Sequence, residues 1–169
     1  MKKILTMDAH NYAASLPTID RVAVRGIITV DGKLLLIQSK YGEVKFPGGG
    51  QEAGESDRDT LIREVYEETG FHVRPDSIRE FGEVEEKRLS TYEDMIWHQI
   101  NRYYFCEVEP VQDACHYSDS EKECGFHQVW HMLEEALELN RAMLAKEGLL
   151  PYNQREFQVL ELLKEHGQQ

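Results

Sequence analysis

Three carboxylates, Glu64, Glu67 and Glu68, fall within a little over one helical turn of the stretch REVYEETGF, residues 63–71. Like charges three and four apart on a helix repel by a few tenths of a kcal/mol per pair. Crowding of this kind asks for a compensating cause. Upstream lies KFPGGGQEAGE, Lys45–Glu55, where Pro47 and three consecutive glycines exclude a regular element and predict a loop. The whole chain carries 31 acids against 19 bases, a net charge of −12. Such a surface repels DNA, RNA and anionic membranes at long range. A phosphate-bearing substrate would need the field reversed locally, and a bound cation does that.

The acids need an element to hold them. A helix fits Asp57–Thr69, with Ser56 as N-cap, Asp57 and Asp59 in the favourable first turn, and Gly70 as the left-handed stop. Leu61, Ile62, Val65 and Thr69 share one stripe and the three glutamates a neighbouring one, so one face packs and the next presents carboxylates. Val22–Val30 and Lys33–Ser39 read as strands joined by the hairpin signal Asp31-Gly32. Further strands are expected near Ile78–Leu89, Met95–Val108 and Phe126–Met132. Val111–Cys124 reads as an acidic loop, and residues 1–20 as a lead-in. Two helices close the chain, Leu133–Gly148 and Asn153–Gly167, the second burying Phe157, Leu160 and Leu163. This order lacks a regular βαβ alternation and predicts an α/β (α+β) fold with a mixed sheet. A length of 169 residues favours one domain, 1–169, and 41% apolar residues is ordinary globular usage.

Three cysteines, Cys106, Cys115 and Cys124, are an odd count that closes no disulfide framework. Cys115, Cys124, His127 and His131 lack the close Cys pair of a zinc site. The N-terminal apolar run is too short for a signal peptide, and no run approaches bilayer length. The expectation is a reduced, soluble, cytoplasmic protein without membrane or nucleic-acid duplex partners.

Gly49 to Phe71 resembles the signature of the Nudix hydrolases: Gly, five residues, Glu, seven residues, Arg-Glu, an aliphatic, any residue, Glu-Glu, any residue, Gly and a bulky apolar residue. Gly49, Glu55, Arg63, Glu64, Val65, Glu67, Glu68, Gly70 and Phe71 fill every fixed position. Chance agreement at the seven single-type positions is about one in 10⁸ per register. The resemblance implies an α/β/α sandwich around a mixed sheet. It also implies hydrolysis of a phosphoanhydride in a nucleoside diphosphate linked to another group. Mg²⁺, or Mn²⁺, would neutralise charge and activate water; both favour oxygen ligands.

By that resemblance Glu64, Glu67 and Glu68 are metal ligands, Glu64 doubling as activator of the water. A backbone carbonyl of Gly48 or Gly49 adds a ligand. Arg63 pairs with a nearby acid, and Glu55 ties the loop to the helix start. The family often adds an acid from a later loop; Glu123 ranks first and Glu121 second, with Asp113 and Asp119 also on offer. Arg25 and Lys45 are the basic residues placed to reach a substrate phosphate. Trp97, Tyr103 and Tyr104 are core, interface or base-stacking aromatics, and a homodimer stays open. Two other readings of the fold are a nucleotide-binding sensor that does not cut and an isomerase. The intact acidic set favours hydrolysis over both. No motif names the substrate.

Overall fold

Asp31 and Gly32 turn the chain tightly, both at positive φ (50° and 77°). Val30 pairs with Lys33 across them, the hairpin that Asp-Gly predicts. The computed structural model describes residues 1–146 and 152–167. In chain order its strands are β1 (Lys3–Asp8), β2 (Thr18–Ile27), β3 (Thr29–Val30), β4 (Lys33–Gln38), β5 (Val44–Lys45), β6 (Gly48–Gly50), β7 (Phe71–Val73), β8 (Arg79–Leu89), β9 (Ile96–Phe105), β10 (Val108–Gln112) and β11 (His127–His131). The helices are α1 (Asp57–Thr69), α2 (Asp119–Glu123), α3 (Leu133–Leu144) and α4 (Tyr152–His166).

The larger sheet is mixed, in the order β1-β8-β9-β2-β6, with β1 parallel to β8 and β2 parallel to β9. In the second sheet β4 lies between β11 on one side and β3 and β5 on the other. Strands β7 and β10 make a separate antiparallel pair. Alternation along β2 builds two apolar layers. Val24, with Ile28 just beyond the strand, packs on Leu61 and Val65 of α1. Ile27 points the other way, with Phe46, Val84 and Tyr103, toward Leu137 of α3 and Val159 and Leu160 of α4. Helices therefore cover both faces of the strands, which is the expected sandwich around a mixed sheet.

Four expectations are corrected. The lead-in holds strand β1, paired in parallel with β8. Gly48–Gly50, expected as loop, is a short strand against β2. The acidic stretch from Val111 begins inside β10 and contains α2. Helix α4 buries Asn153, Arg155 and Glu156 beside Val159 and Leu160, whereas Phe157 and Leu163 are only partly buried. The glycine stop expected at Gly148 lies outside the described residues. No described helix is long and apolar enough to cross a membrane.

Candidate active site

Helix α1 starts at a reciprocal cap. Ser56 Oγ accepts from the Asp59 N–H (3.2 Å), and the Asp59 carboxylate accepts from the Ser56 N–H (3.0 Å). It ends at Gly70, in the left-handed conformation with φ 71°. These stops fix its ends, and the burial of Leu61 and Val65 against Val24 and Ile28 fixes its rotation, and with it the direction of the acidic stripe. Side-chain exposure falls along the stripe from Glu67 (42%) through Glu64 (13%) to Glu68 (3%).

Strand β6 meets that stripe with bare backbone. Gly26 N–H donates to the Pro47 carbonyl and Gln51 N–H to the Val22 carbonyl, and Val24 lies opposite Gly49. The antiparallel ladder therefore turns the N–H and C=O of Gly49 toward β2, and those of Gly48 and Gly50 away from it. The Gly48 N–H donates to Glu68 Oε2 at 2.7 Å. Gly49 faces the Glu64 carboxylate so closely that a Cβ there would lie 2.5 Å from Oε2. Glycine is what lets strand and acids approach this far.

Arg63 binds the parts together. Its Nε and Nη2 donate to the two oxygens of Glu55 (2.6 and 2.9 Å), and Nη2 also to the Gly50 carbonyl (3.0 Å). Nη1 donates to Glu64 (2.7 Å) and Glu67 (3.3 Å). Glu55 further accepts from the Glu52 N–H and the Thr60 hydroxyl. Hydrogen bonds from Arg63 above all hold Glu55 well below the usual carboxylate range, at about 2. Burial, reinforced by repulsion from Glu68 and Glu67, pushes Glu64 up. Burial also pushes Glu68 up, against the opposing pull of Lys45.

Lys45 donates from Nζ to Glu68 Oε1 at 2.7 Å and is mostly buried, its ammonium over the Phe126 ring. Arg25 lies beneath β6 rather than in the open. It is 7% exposed, donates to the Gly48 carbonyl (3.1 Å), and its Nε stands 3.7 Å from Glu156. Glu156 in turn accepts from the Phe46 N–H (2.9 Å) and the Tyr103 hydroxyl (2.9 Å), and pairs with Arg155. Helix α4 thus supports the glycine strand from behind through a buried ionic network. The buried side expected for this helix, Phe157, Leu160 and Leu163, leaves this network out. The spacing of Arg155 and Glu156 four residues before Val159 and Leu160 was the available signal. Tyr103 is core, Tyr104 donates to Asp57 (2.6 Å), and Trp97 is partly exposed.

The segment after β10 folds over the end of α1. The His116 N–H donates to the Glu67 carbonyl, and the Tyr117 hydroxyl to that of Glu68, both at 2.6 Å. Of the acids in this segment, Glu121 is the one whose charge acts on Glu68, while its carboxylate accepts from Ser118. Glu123 is exposed and offers only its backbone carbonyl, to Lys40. Asp113 pairs with His72 on the surface and Asp119 with Lys122.

The donor set suits a hard divalent cation: carboxylates and backbone carbonyls, all oxygen. Glu64, Glu67 and Glu68 already hold cationic groups, Arg63 and Lys45. Among the described residues no three His, Cys, Asp or Glu side chains converge as a ready-made cage. Arg63 Nη1 contacts Glu64 Oε1 and Glu67 Oε2, and Lys45 Nζ contacts Glu68 Oε1.

A family model described as NUDIX domain matches residues 19–152. The chain belongs to the Nudix family. A Bacillus subtilis (strain 168) relative named "Putative 8-oxo-dGTP diphosphatase YtkD" is 29% identical over 138 residues, covering 80% of this chain and 76% of the relative. An ADP-ribose pyrophosphatase of Methanocaldococcus jannaschii is 47% identical over 54 residues, 30% of this chain and 32% of that protein. The MutT Nudix hydrolase structure from Burkholderia pseudomallei superposes with a TM-score of 0.56 at 18% identity, covering 83% of this chain and 97% of that one. A crystal structure of an ADP compounds hydrolase gives 0.57 at 22%, covering 90% and 76%. At these identities the two structures speak to the fold, the Nudix sandwich.

Proposed function

We propose that this Nudix protein is a divalent-metal-dependent hydrolase of small nucleotides, cutting a phosphoanhydride bond in a nucleoside diphosphate linked to another group. The carrying observation is that Glu68 and Glu64 meet a strand of three glycines, at the Gly48 N–H and at Gly49, while Arg63 ties Glu64 and the more exposed Glu67 to Glu55. Glu64, Glu67 and Glu68 would hold Mg²⁺ or Mn²⁺ with the Gly48 carbonyl, which accepts from Arg25 on the outward side of β6; the Gly49 carbonyl, turned toward β2, is not available for this. Bound there, the ion supplies charge neutralisation at phosphorus and a more acidic water.

The chain's own groups do the rest. Arg63, held bidentately by Glu55, keeps Glu64 and Glu67 at a fixed height on the helix. Glu68 holds the Gly48 N–H and so sets the distance between strand and helix. Glu64, packed on Gly49 and held by Arg63 through one oxygen, would take the proton of an attacking water. Glu121 adds negative charge beside Glu68. The fields of Lys45 and Arg63 keep these acids together when no metal is bound.

The test is a panel containing 8-oxo-dGTP, dGTP and ADP-ribose, assayed with and without Mg²⁺ and with the products identified. Turnover is expected only with the metal. Glu67→Gln and Glu68→Gln are expected to lose about a hundredfold or more in kcat, with the circular dichroism of the wild type. Undiminished activity in both variants, or turnover in chelator, would sink the reading.

A further inference from the structure

Four cations adjoin the glycine strand, and three are already engaged: Lys45 with Glu68, Arg63 with three glutamates, Arg25 with Glu156 and the Gly48 carbonyl. The fourth is Arg21, an exposed residue of β2. Among the described residues it has no carboxylate within ion-pair distance. It is nonetheless placed with care. Its Nη2 lies 2.7 Å from where a Cβ on Gly50 would stand, so the guanidinium rests against bare backbone. Its guanidinium carbon sits 4.9 Å from the centre of the Trp97 ring, which Arg88 also abuts at 5.2 Å. Arg88 is paired with Glu86 at 3.1 Å, so the indole has one satisfied arginine and one unsatisfied one. A shallow depression of about 210 Å³ opens beside Arg21, lined also by Asp20, Val22, Gln51, Glu52 and Ala53. Asp20 is turned to His98, at 2.6 Å.

The alternation of β6 gives this placement its meaning. Gly49 faces Glu64 and Gly50 faces Arg21, so the carboxylates and the unpaired guanidinium lie on opposite faces of one strand. That strand is the edge of the five-stranded sheet. A ligand touching both would pass round this edge, beside Arg63 on the Gly50 carbonyl and Glu68 on the Gly48 N–H. In a chain of net charge −12, an unpaired arginine already braced on an aromatic ring loses little freedom on binding an oxyanion.

We propose that Arg21 is a substrate-binding residue that receives the non-bridging oxygens of a phosphate, one lying beyond the bond cut at the carboxylates. The preferred substrate then has a phosphate chain that crosses β6. The hydrolase reading supplies the identity of this ligand, but the anion contact can be tested apart from it.

The probe is inorganic tripolyphosphate with Mg²⁺, titrated calorimetrically under conditions where ³¹P NMR shows it intact. Arg21→Ala is expected to weaken binding about tenfold, and Arg21→Lys to fall between it and the wild type. Arg79→Ala, which removes the same charge from an arginine stacked on Phe105, is expected to stay within about twofold, on the scale of a screened surface charge. Deoxyguanosine binding is expected to be the same in all. The proposal is overturned if the wild type binds no tripolyphosphate, if Arg21→Ala binds it as well as the wild type, or if Arg79→Ala loses as much. It is also overturned if deoxyguanosine binding is what Arg21→Ala loses. Turnover of dGTP or ADP-ribose by the wild type is scored separately. Its absence alongside Arg21-dependent binding would remove the hydrolase reading and leave this one standing.

Discussion

Glu55 accepts two hydrogen bonds from Arg63, and its pKa falls from 4.5 to about 2. A carboxylate held lower in the folded than in the unfolded chain adds stability above pH 4.5. That contribution drains away as pH falls toward 2. Glu55→Gln should therefore cost about 2 kcal/mol at neutral pH. In urea unfolding, its deficit against the wild type should shrink by about half at pH 3. A deficit that stays constant between pH 7 and pH 3 would show that the Arg63 contact contributes nothing through charge. Glu64 shifts the opposite way, upward, because burial outweighs its single strong contact with Arg63. These two neighbours of one guanidinium illustrate why residue type alone does not assign a role. The pattern names both as glutamates; the surroundings make one a fully paired clamp and leave the other half-buried with one strong partner.

Within strand β6 the three glycines face different neighbours, so the same substitution should have three outcomes. Gly48 has φ 142°, and a Cβ there would strike the Val24 carbonyl and come within 2.7 Å of Arg25 Cα. Backbone cannot move aside, so Gly48→Ala should lower stability by about 2 kcal/mol or more. At Gly49 the clash is with the Glu64 carboxylate, a side-chain end. Gly49→Ala should melt near the wild type yet lose about a hundredfold in kcat from misplacement of that group. At Gly50 the neighbour is Arg21 Nη2, and Gly50→Ala should weaken tripolyphosphate binding while the fold holds. Melting temperature and kcat measured on all three would separate these causes. Strand β6 was invisible in the sequence, because glycine has no strand preference and the pairing comes from β2. Helix α1 was legible to the residue, since its cap, stripe and stop are all local. The Asp-Gly hairpin was legible for the same reason. β1 was not, because its partner β8 lies some eighty positions away. Arg25 looked free to reach a phosphate, and only the arrival of Glu156 from α4 shows where it is held.

At the scale of the molecule, charge and chemistry oppose each other. A surface of −12 repels a nucleotide on its way in, and the repulsion is screened as salt rises. Between about 10 and 150 mM ionic strength the screening length drops from about 30 to 8 Å. With Mg²⁺ saturating, kcat/KM for dGTP or ADP-ribose should therefore rise over this range by about twofold. A fall would mean that local cations such as Arg21 dominate the approach as well as the contact. Strand β6 has α1 on one side, through Glu68, and the α4 network on the other, through Arg25 and Glu156, so it is held from both helical layers.

The position of β6 at the rim of its sheet has one more consequence. A rim strand without side chains would ordinarily be an invitation for a second copy to zip its own backbone alongside. Here the outward Gly48 N–H is taken by Glu68, the Gly48 carbonyl by Arg25 and the Gly50 carbonyl by Arg63. These charged side chains occupy three of the four outward groups on which strand addition by a second copy would depend, so such pairing along this rim would first have to displace them.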